Sequence, residues 1–188
     1  RYRVVPGKVR ERDVVIGQHV PPEAEAISPL LKHFACAYDP DRLGRAKRVI
    51  AVAASHHRLV WIHPFLDGNG RVARMMSHAY LRHIGLGSAL WSVSRGLARQ
   101  RARYREVLER ADRPRQGDLN GRGALSEAEL VQFCRFFLET CIDQVDFMSE
   151  TLDPTRLLVR MERQAGIAEA EDRLPARSFA LLREALMI

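Results

Sequence analysis

The stretch His63-Pro64-Phe65-Leu66-Asp67-Gly68-Asn69-Gly70-Arg71, with Arg74 three residues further on, decides how this chain is read. Upstream of it, Ala46, Val49, Ile50, Ala53, His57, Val60 and Trp61 share one helical stripe, so residues 45–62 are expected to form a helix. Pro64 stops that helix, because the residue before a proline is pushed out of the α region. A loop is expected from His63 to Asn69 and a second helix from about Gly70 to Ile84, with Gly85 and Gly87 closing it. Within the loop, Gly68 and Gly70 let backbone N–H groups turn toward one point. With the positive end of the following helix they make an anion cradle. Arg71 and Arg74, at i and i+3, lie on one side of that helix and both reach a phosphate chain. Asp67 is a hard oxygen ligand suited to Mg²⁺ bridging phosphates, with Mn²⁺ as a substitute. His63, across the loop, is placed to act as a general base.

Two other glycine-rich phosphate sites are excluded by context. Gly68-x-Gly70-x-x-Ala73 matches a dinucleotide fingerprint, but that motif must follow a strand, and here a long amphipathic helix precedes it. The G-x-x-x-x-G-K-[ST] pattern of a P-loop is absent.

Outward from the loop, the pattern stays helical. Residues 23–38 and 94–111 carry apolar residues at helical spacing, with Leu97, Tyr104 and Leu108 turned inward in the second. Ser126 and Glu129 form a capping box ahead of a long helix to about Glu150, and Asp153-Pro154 opens another. Pro175 separates that helix from a last helical stretch to Ile188. Only the first twenty residues differ. There, the β-branched runs Tyr2–Val5 and Val14–Ile16, halted by Pro21-Pro22, are expected to pair as a hairpin. The fold class is therefore all-α, a helical bundle with a short N-terminal β-hairpin flap.

Composition bounds the function. The chain has 188 residues, 46% hydrophobic and 28% charged, with a net charge of +7. These are ordinary values for a globular domain. Of the 30 basic residues only Lys8, Lys32 and Lys47 are lysine, and arginine suits phosphate recognition. Tyr104 is nearly alone among the arginines of residues 95–115, so a nucleic-acid-binding face is not expected there. No apolar run is long enough to span a membrane, and the N-terminus is not a signal peptide. Cys36, Cys134 and Cys141 form no C-x-x-C pair, which suits a reducing, cytoplasmic compartment. His56 and His57 are neighbours pointing to different sides, and His57, on the apolar stripe, is expected to be a hydrogen-bonded core histidine.

The stretch 63–74 resembles the signature of the Fic family, H-x-F-x-[DE]-G-N-G-R-x-x-R, at every specified position. Looser similarity covers roughly residues 2–150, from the flap region at Tyr2-Arg3, Val14–Gly17 and Pro21-Pro22 to Tyr104 and Leu108. The resemblance implies a Fic domain over residues 1–150, with a flap at about 2–20 and a catalytic loop at 63–71. Residues 151–188 would be a C-terminal helical extension, or the start of a winged-helix domain of the kind that often follows Fic domains, opening at Arg177 to Ile188. It further implies transfer of AMP from ATP to a Ser, Thr or Tyr hydroxyl of a target protein. In that scheme His63 is the base, Asp67 holds Mg²⁺, and Gly68, Asn69, Gly70, Arg71 and Arg74 hold the phosphates. Phe65 anchors the loop, and the flap residues Val14, Val15 and Ile16 position the target.

Two alternatives stand beside it: the same fold moving UMP, phosphate or phosphocholine, and a DNA-binding regulator with a nucleotide-sensing Fic domain. Many members carry an inhibitory [ST]-x-x-x-E-[GN] helix, which no Ser or Thr of this sequence begins. An inhibitory glutamate would have to come from upstream of Arg1 or from a partner protein.

Overall fold

The computed structural model describes residues 4–187, with side chains described through Ala185. Among the described residues the architecture is all-α, with eight α-helices and no sheet. They are α1 (Ile27–Ala37), α2 (Arg45–Ile62), α3 (Asn69–His83), α4 (Val93–Arg99), α5 (Arg101–Ala111), α6 (Glu127–Thr151), α7 (Pro154–Ala170) and α8 (Ser178–Met187). The chain divides into two compact units, Arg1–Gln144 and Val145–Ile188.

The first unit is built around α2. Its middle is small and apolar, and Ala51, Val52, Ala53, Ala54, Ser55, His56 and His57 are all buried in succession. A helix buried on every side needs neighbours all round. Here they are Tyr80 and Leu81 of α3, Tyr104 and Val107 of α5, and Phe133 and Phe137 of α6. The rings of His56, His57, Tyr104, Phe133 and Phe137 pack against one another at the centre. His57 is thus the hydrogen-bonded core histidine its position on the stripe implies. In α4, Gly96 lets that helix approach α6: a Cβ there would come within 2.4 Å of Thr140 Cγ2.

The expected helix over 94–111 is two helices, α4 and α5, which meet at Gln100. Neither glycine nor proline marks the break. The capping box also forms only by half. Ser126 Oγ accepts from the Glu129 N–H at 3.2 Å, while the Glu129 carboxylate turns instead to a bidentate pair with Arg110 at 2.8 and 3.1 Å.

The N-terminal hairpin does not form among the described residues, and Tyr2 and Arg3 lie outside them. In its place a single antiparallel bridge joins Ile16 to His19 across the turn Gly17-Gln18. The physical reason lies between the two runs: Arg10 donates its N–H to the Pro64 carbonyl at 2.8 Å, so the segment that would connect the strands docks on the signature loop. Val4, Val5, Val15 and Ile16 remain exposed, without the packing that stabilises a ladder.

In the second unit, α7 starts as read. Asp153 caps it by accepting from the Arg156 N–H at 2.8 Å, with Pro154 in the first turn. Among the described residues no helix is long and apolar enough to cross a membrane.

Candidate active site

His63 is the residue at which α2 stops. Its backbone is left-handed (φ 52, ψ 56), forced out of the α region by Pro64. The turn is held by Arg10, whose guanidinium is buried against the end of α2. Arg10 Nε donates to the His63 carbonyl at 2.8 Å, and Nη2 donates to the carbonyls of Pro22 and, at 3.5 Å, Ile62. A cation on the last carbonyls of a helix satisfies acceptors that have no intrahelical donor and complements the helix dipole. Nothing in the spacing of the sequence singles out Arg10.

The loop is then clamped by Asn69. Its side chain accepts from the Phe65 N–H at 2.9 Å and donates to the Phe65 carbonyl at 2.7 Å, and the residue is buried. The Asn69 amide is therefore committed to the loop. What the start of α3 offers an anion is backbone: the N–H groups of Asn69, Gly70 and Arg71 occupy its first turn and have no intrahelical partner. Gly68 precedes them in the left-handed region (φ 87), where glycine carries no penalty.

Both signature arginines fold back over this helix end. A Cβ on Gly68 would stand 3.4 Å from Arg71 Nη2, and one on Gly70 would stand 3.3 Å from Arg74 Nη1. Asp67 lies in the same place, with Oδ1 accepting from the Gly68 N–H at 2.6 Å and Oδ2 paired with Arg71 at 3.1 Å. His63, Asp67, Gly68, Gly70, Arg71 and Arg74 are thus brought together on one loop and one helix end.

Arg74 is positioned from beneath by a buried chain that sequence reading did not find. Ser77 donates its hydroxyl proton to the Ala73 carbonyl at 2.9 Å, so His56 Nδ1, 2.8 Å from Ser77 Oγ, must be the donor there. His56 Nε2 then accepts from the Tyr104 hydroxyl at 2.8 Å, and the Arg74 guanidinium lies against that phenol. Burial drives His56 down to about 3 and Tyr104 up to about 12, so both are neutral and the direction of the chain is fixed. Arg74, Arg101, Arg105, Ser94 and Tyr104 line a pocket of ≈ 500 Å³ beside it.

His63 is half-buried, and burial lowers its pKa from the ordinary histidine value. Its Nδ1 is buried without a well-formed hydrogen bond, the Val60 carbonyl being its favourable backbone partner. Of the flap residues, Val14 is half-buried and Val15 and Ile16 are exposed, and the turn that follows them brings the His19 ring to 6.3 Å from that of His63.

Asp67 fits a divalent cation of the kind that is held by one carboxylate, waters and substrate phosphates. It is exposed, and it stands at the edge of a cradle for those phosphates. Among the described residues no group of three or more His, Cys, Asp or Glu side chains forms an all-protein metal cage.

Helix, glycine-rich loop and returning helix thus bring two arginines and an open helix N-terminus to the turn that follows His63. The family model of the Fic/DOC family matches residues 1–81, which include that loop. Over 173 residues it is 25% identical to the protein adenylyltransferase Fic of Drosophila erecta and 26% identical to that of Drosophila persimilis. Each alignment covers 90% of this chain, but 31% and 30% of those proteins. The chain thus spans about a third of the length of these curated relatives. Its fold is shared with the crystal structure of a Fic domain containing signaling protein from Bacteroides thetaiotaomicron. The TM-score is 0.58 at 20% identity, over 79% of this chain and 56% of that one.

Proposed function

We propose that this chain is a protein adenylylyltransferase, moving AMP from ATP to a hydroxyl side chain of a target protein. The observation that carries the proposal is the convergence of two guanidiniums and the free N–H groups of α3 on one helix end, with His63 left-handed at the mouth of the same loop. Such a cradle suits a polyphosphate. The names of the Drosophila relatives support adenylyl transfer in particular. Residues 1–150 would form the transferase domain, with ATP and the target protein as its partners and the cytoplasm as its compartment.

In the proposed reaction the hydroxyl oxygen of a Ser, Thr or Tyr attacks the α-phosphorus of ATP in line. The new O–P bond forms as the bond to the β-phosphate bridge oxygen breaks, and pyrophosphate leaves. The hydroxyl proton passes to His63. The neutral ring supplies the nitrogen lone pair that accepts it. The backbone N–H groups of Asn69, Gly70 and Arg71 hold the phosphates near the reacting centre, with Gly68 giving the turn that aims them, while the side chains of Arg71 and Arg74 hold those that depart. Asp67 would bind Mg²⁺, which supplies charge neutralisation on the phosphates. Most of the rate enhancement in such a transfer comes from positioning and charge. Val14 and Val15, ahead of the Ile16–His19 bridge, have backbone groups that can pair with an extended target segment.

Transfer from α-labelled but not γ-labelled ATP is expected. His63→Ala should lower the rate by ~10²–10⁴-fold while ATP affinity holds. Label arriving from the γ position would identify phosphate as the group moved, and near wild-type turnover in the variant would remove His63 from the mechanism.

A further inference from the structure

Beside the loop, two side chains from separate parts of the chain meet on one carboxylate. Asp112, which ends α5, accepts from His57 Nε2 at 3.0 Å through Oδ1 and from His19 Nδ1 at 3.1 Å through Oδ2. The other nitrogen of His19, Nε2, stands 3.0 Å from the Trp61 carbonyl. Both of these partners of His19 are acceptors, an ionised carboxylate and a backbone carbonyl. A neutral imidazole has one N–H and satisfies only one of them, whereas an imidazolium satisfies both. The geometry therefore requires His19 to be a cation, with Asp112 as its counter-ion.

The electrostatic directions agree with this. Burial alone would lower His19, but the hydrogen bond and charge of Asp112 and the Trp61 carbonyl outweigh it, and its pKa rises. Burial would raise Asp112, but its bonds to His19 and His57 hold it below the usual carboxylate range. His57, fully buried, is pushed down and stays neutral.

We propose that the His19–Asp112 pair is a positioning element for His63, in which the His19 imidazolium keeps the neighbouring ring unprotonated and ties the last turn of α2, through Trp61, to α5. His63 faces two cations, His19 at 6.3 Å between ring centroids and Arg10 bonded to its own carbonyl. Around His19 itself stand Asp112 from α5, Arg10 from the N-terminal segment, and His57 and His63 from α2 and its end. Arg10 is a fixed charge and His57 is neutral, so His19 and Asp112 are the members that can be changed without removing the Arg10 cap on α2. A charge at this distance in a half-buried setting, partly offset by its own counter-ion, shifts a neighbour by about half to one pH unit. The assignment rests on the reading of His63 as the base, but its electrostatic part can be measured without activity.

The test follows the imidazole nitrogens and ring protons of His19 and His63 by NMR through a pH titration, in the whole chain and in His19→Gln and Asp112→Asn. In the unsubstituted protein both nitrogens of His19 should carry protons at pH 7. In His19→Gln the His63 midpoint should rise by about half to one unit, and in Asp112→Asn His19 should lose one of its two ring protons at pH 7. His19 found as a single neutral tautomer at pH 7 would overturn the proposal in the unsubstituted chain, even if neither variant folds. So would a His63 midpoint unmoved in folded His19→Gln. The pH–rate profile separates this proposal from the function it rests on. An acid limb that rises with the His63 midpoint, at constant KM for ATP, supports both. A midpoint that moves while the acid limb stays leaves the His19–Asp112 assignment standing and removes His63 as the base.

Discussion

At the scale of single residues, two side chains hold the reacting loop and neither reaches the cradle through its own chemistry. Asn69 spends both ends of its amide on the Phe65 backbone, and Arg10 spends its guanidinium on carbonyls at the end of α2. Arg10 is the more exposed to mutation because its fork geometry is what serves several acceptors at once. Lysine carries the charge but not the planar fork. Arg10→Ala would leave buried carbonyls without donors and a void beside them, a loss of about 2–4 kcal/mol. Arg10→Lys should recover only part of it. Urea unfolding of the three proteins checks the order; equal midpoints would mean that water replaces the guanidinium at no cost. Transfer activity should fall with stability in both variants, since His63 keeps its left-handed turn only while its carbonyl is held.

Between elements, the chain Ser77–His56–Tyr104 joins α3, α2 and α5 and ends against Arg74. Tyr104→Phe removes the hydroxyl that His56 Nε2 accepts from and the oxygen against which Arg74 rests. The buried acceptor left unpaired should destabilise the protein by about 1–2 kcal/mol. With Arg74 less fixed, KM for ATP should rise several-fold while kcat changes little, the pattern of lost ground-state binding. An unchanged KM would mean that Arg74 is held by α3 alone. This chain also marks where sequence reading ends. Helices α2 and α3 were legible because a 3.6-residue stripe and a His-Pro stop are local signals, and the loop was legible because its residues are contiguous. His56 Nε2 and Tyr104, 48 positions apart, meet only because α5 packs on α2, and no spacing rule reports that. The same holds for Asp112 with His19, and for Arg10 with the end of α2. The hairpin failed for a related reason: β-branched runs announce strands, but the segment that would connect them docks on the signature loop through the Arg10 N–H. The break at Gln100 carries no residue signal at all.

For the whole molecule, the burial of neutral histidines sets a dependence of stability on pH. His56 is held down to about 3, and His57 and His63 are also lowered, all three by burial first. In the unfolded chain each titrates near 6.5, so below that value the unfolded state binds protons that the native state refuses. Their contribution is fully present above pH 6.5 and is lost as pH falls toward their folded values. His19 has the opposite sign: its raised pKa stabilises the native state below 6.5, and that part is lost as pH rises through its folded value. Three lowered groups against one raised group leave a net loss on acidification. Between pH 6.5 and pH 4.5, above the range where most carboxylates titrate, stability should fall by a few kcal/mol, an order-of-magnitude figure from linkage. Replacing His56 by Gln tests the attribution, because Gln keeps a donor and an acceptor but does not titrate. The variant should be less stable at pH 7.5, where its fit to Ser77 and Tyr104 is poorer, yet lose less on going to pH 4.5. Urea midpoints at pH 7.5, 6.0 and 4.5 for both proteins read the two slopes directly. Parallel slopes would show that His56 does not carry the acid sensitivity, and would assign it to His57 and His63.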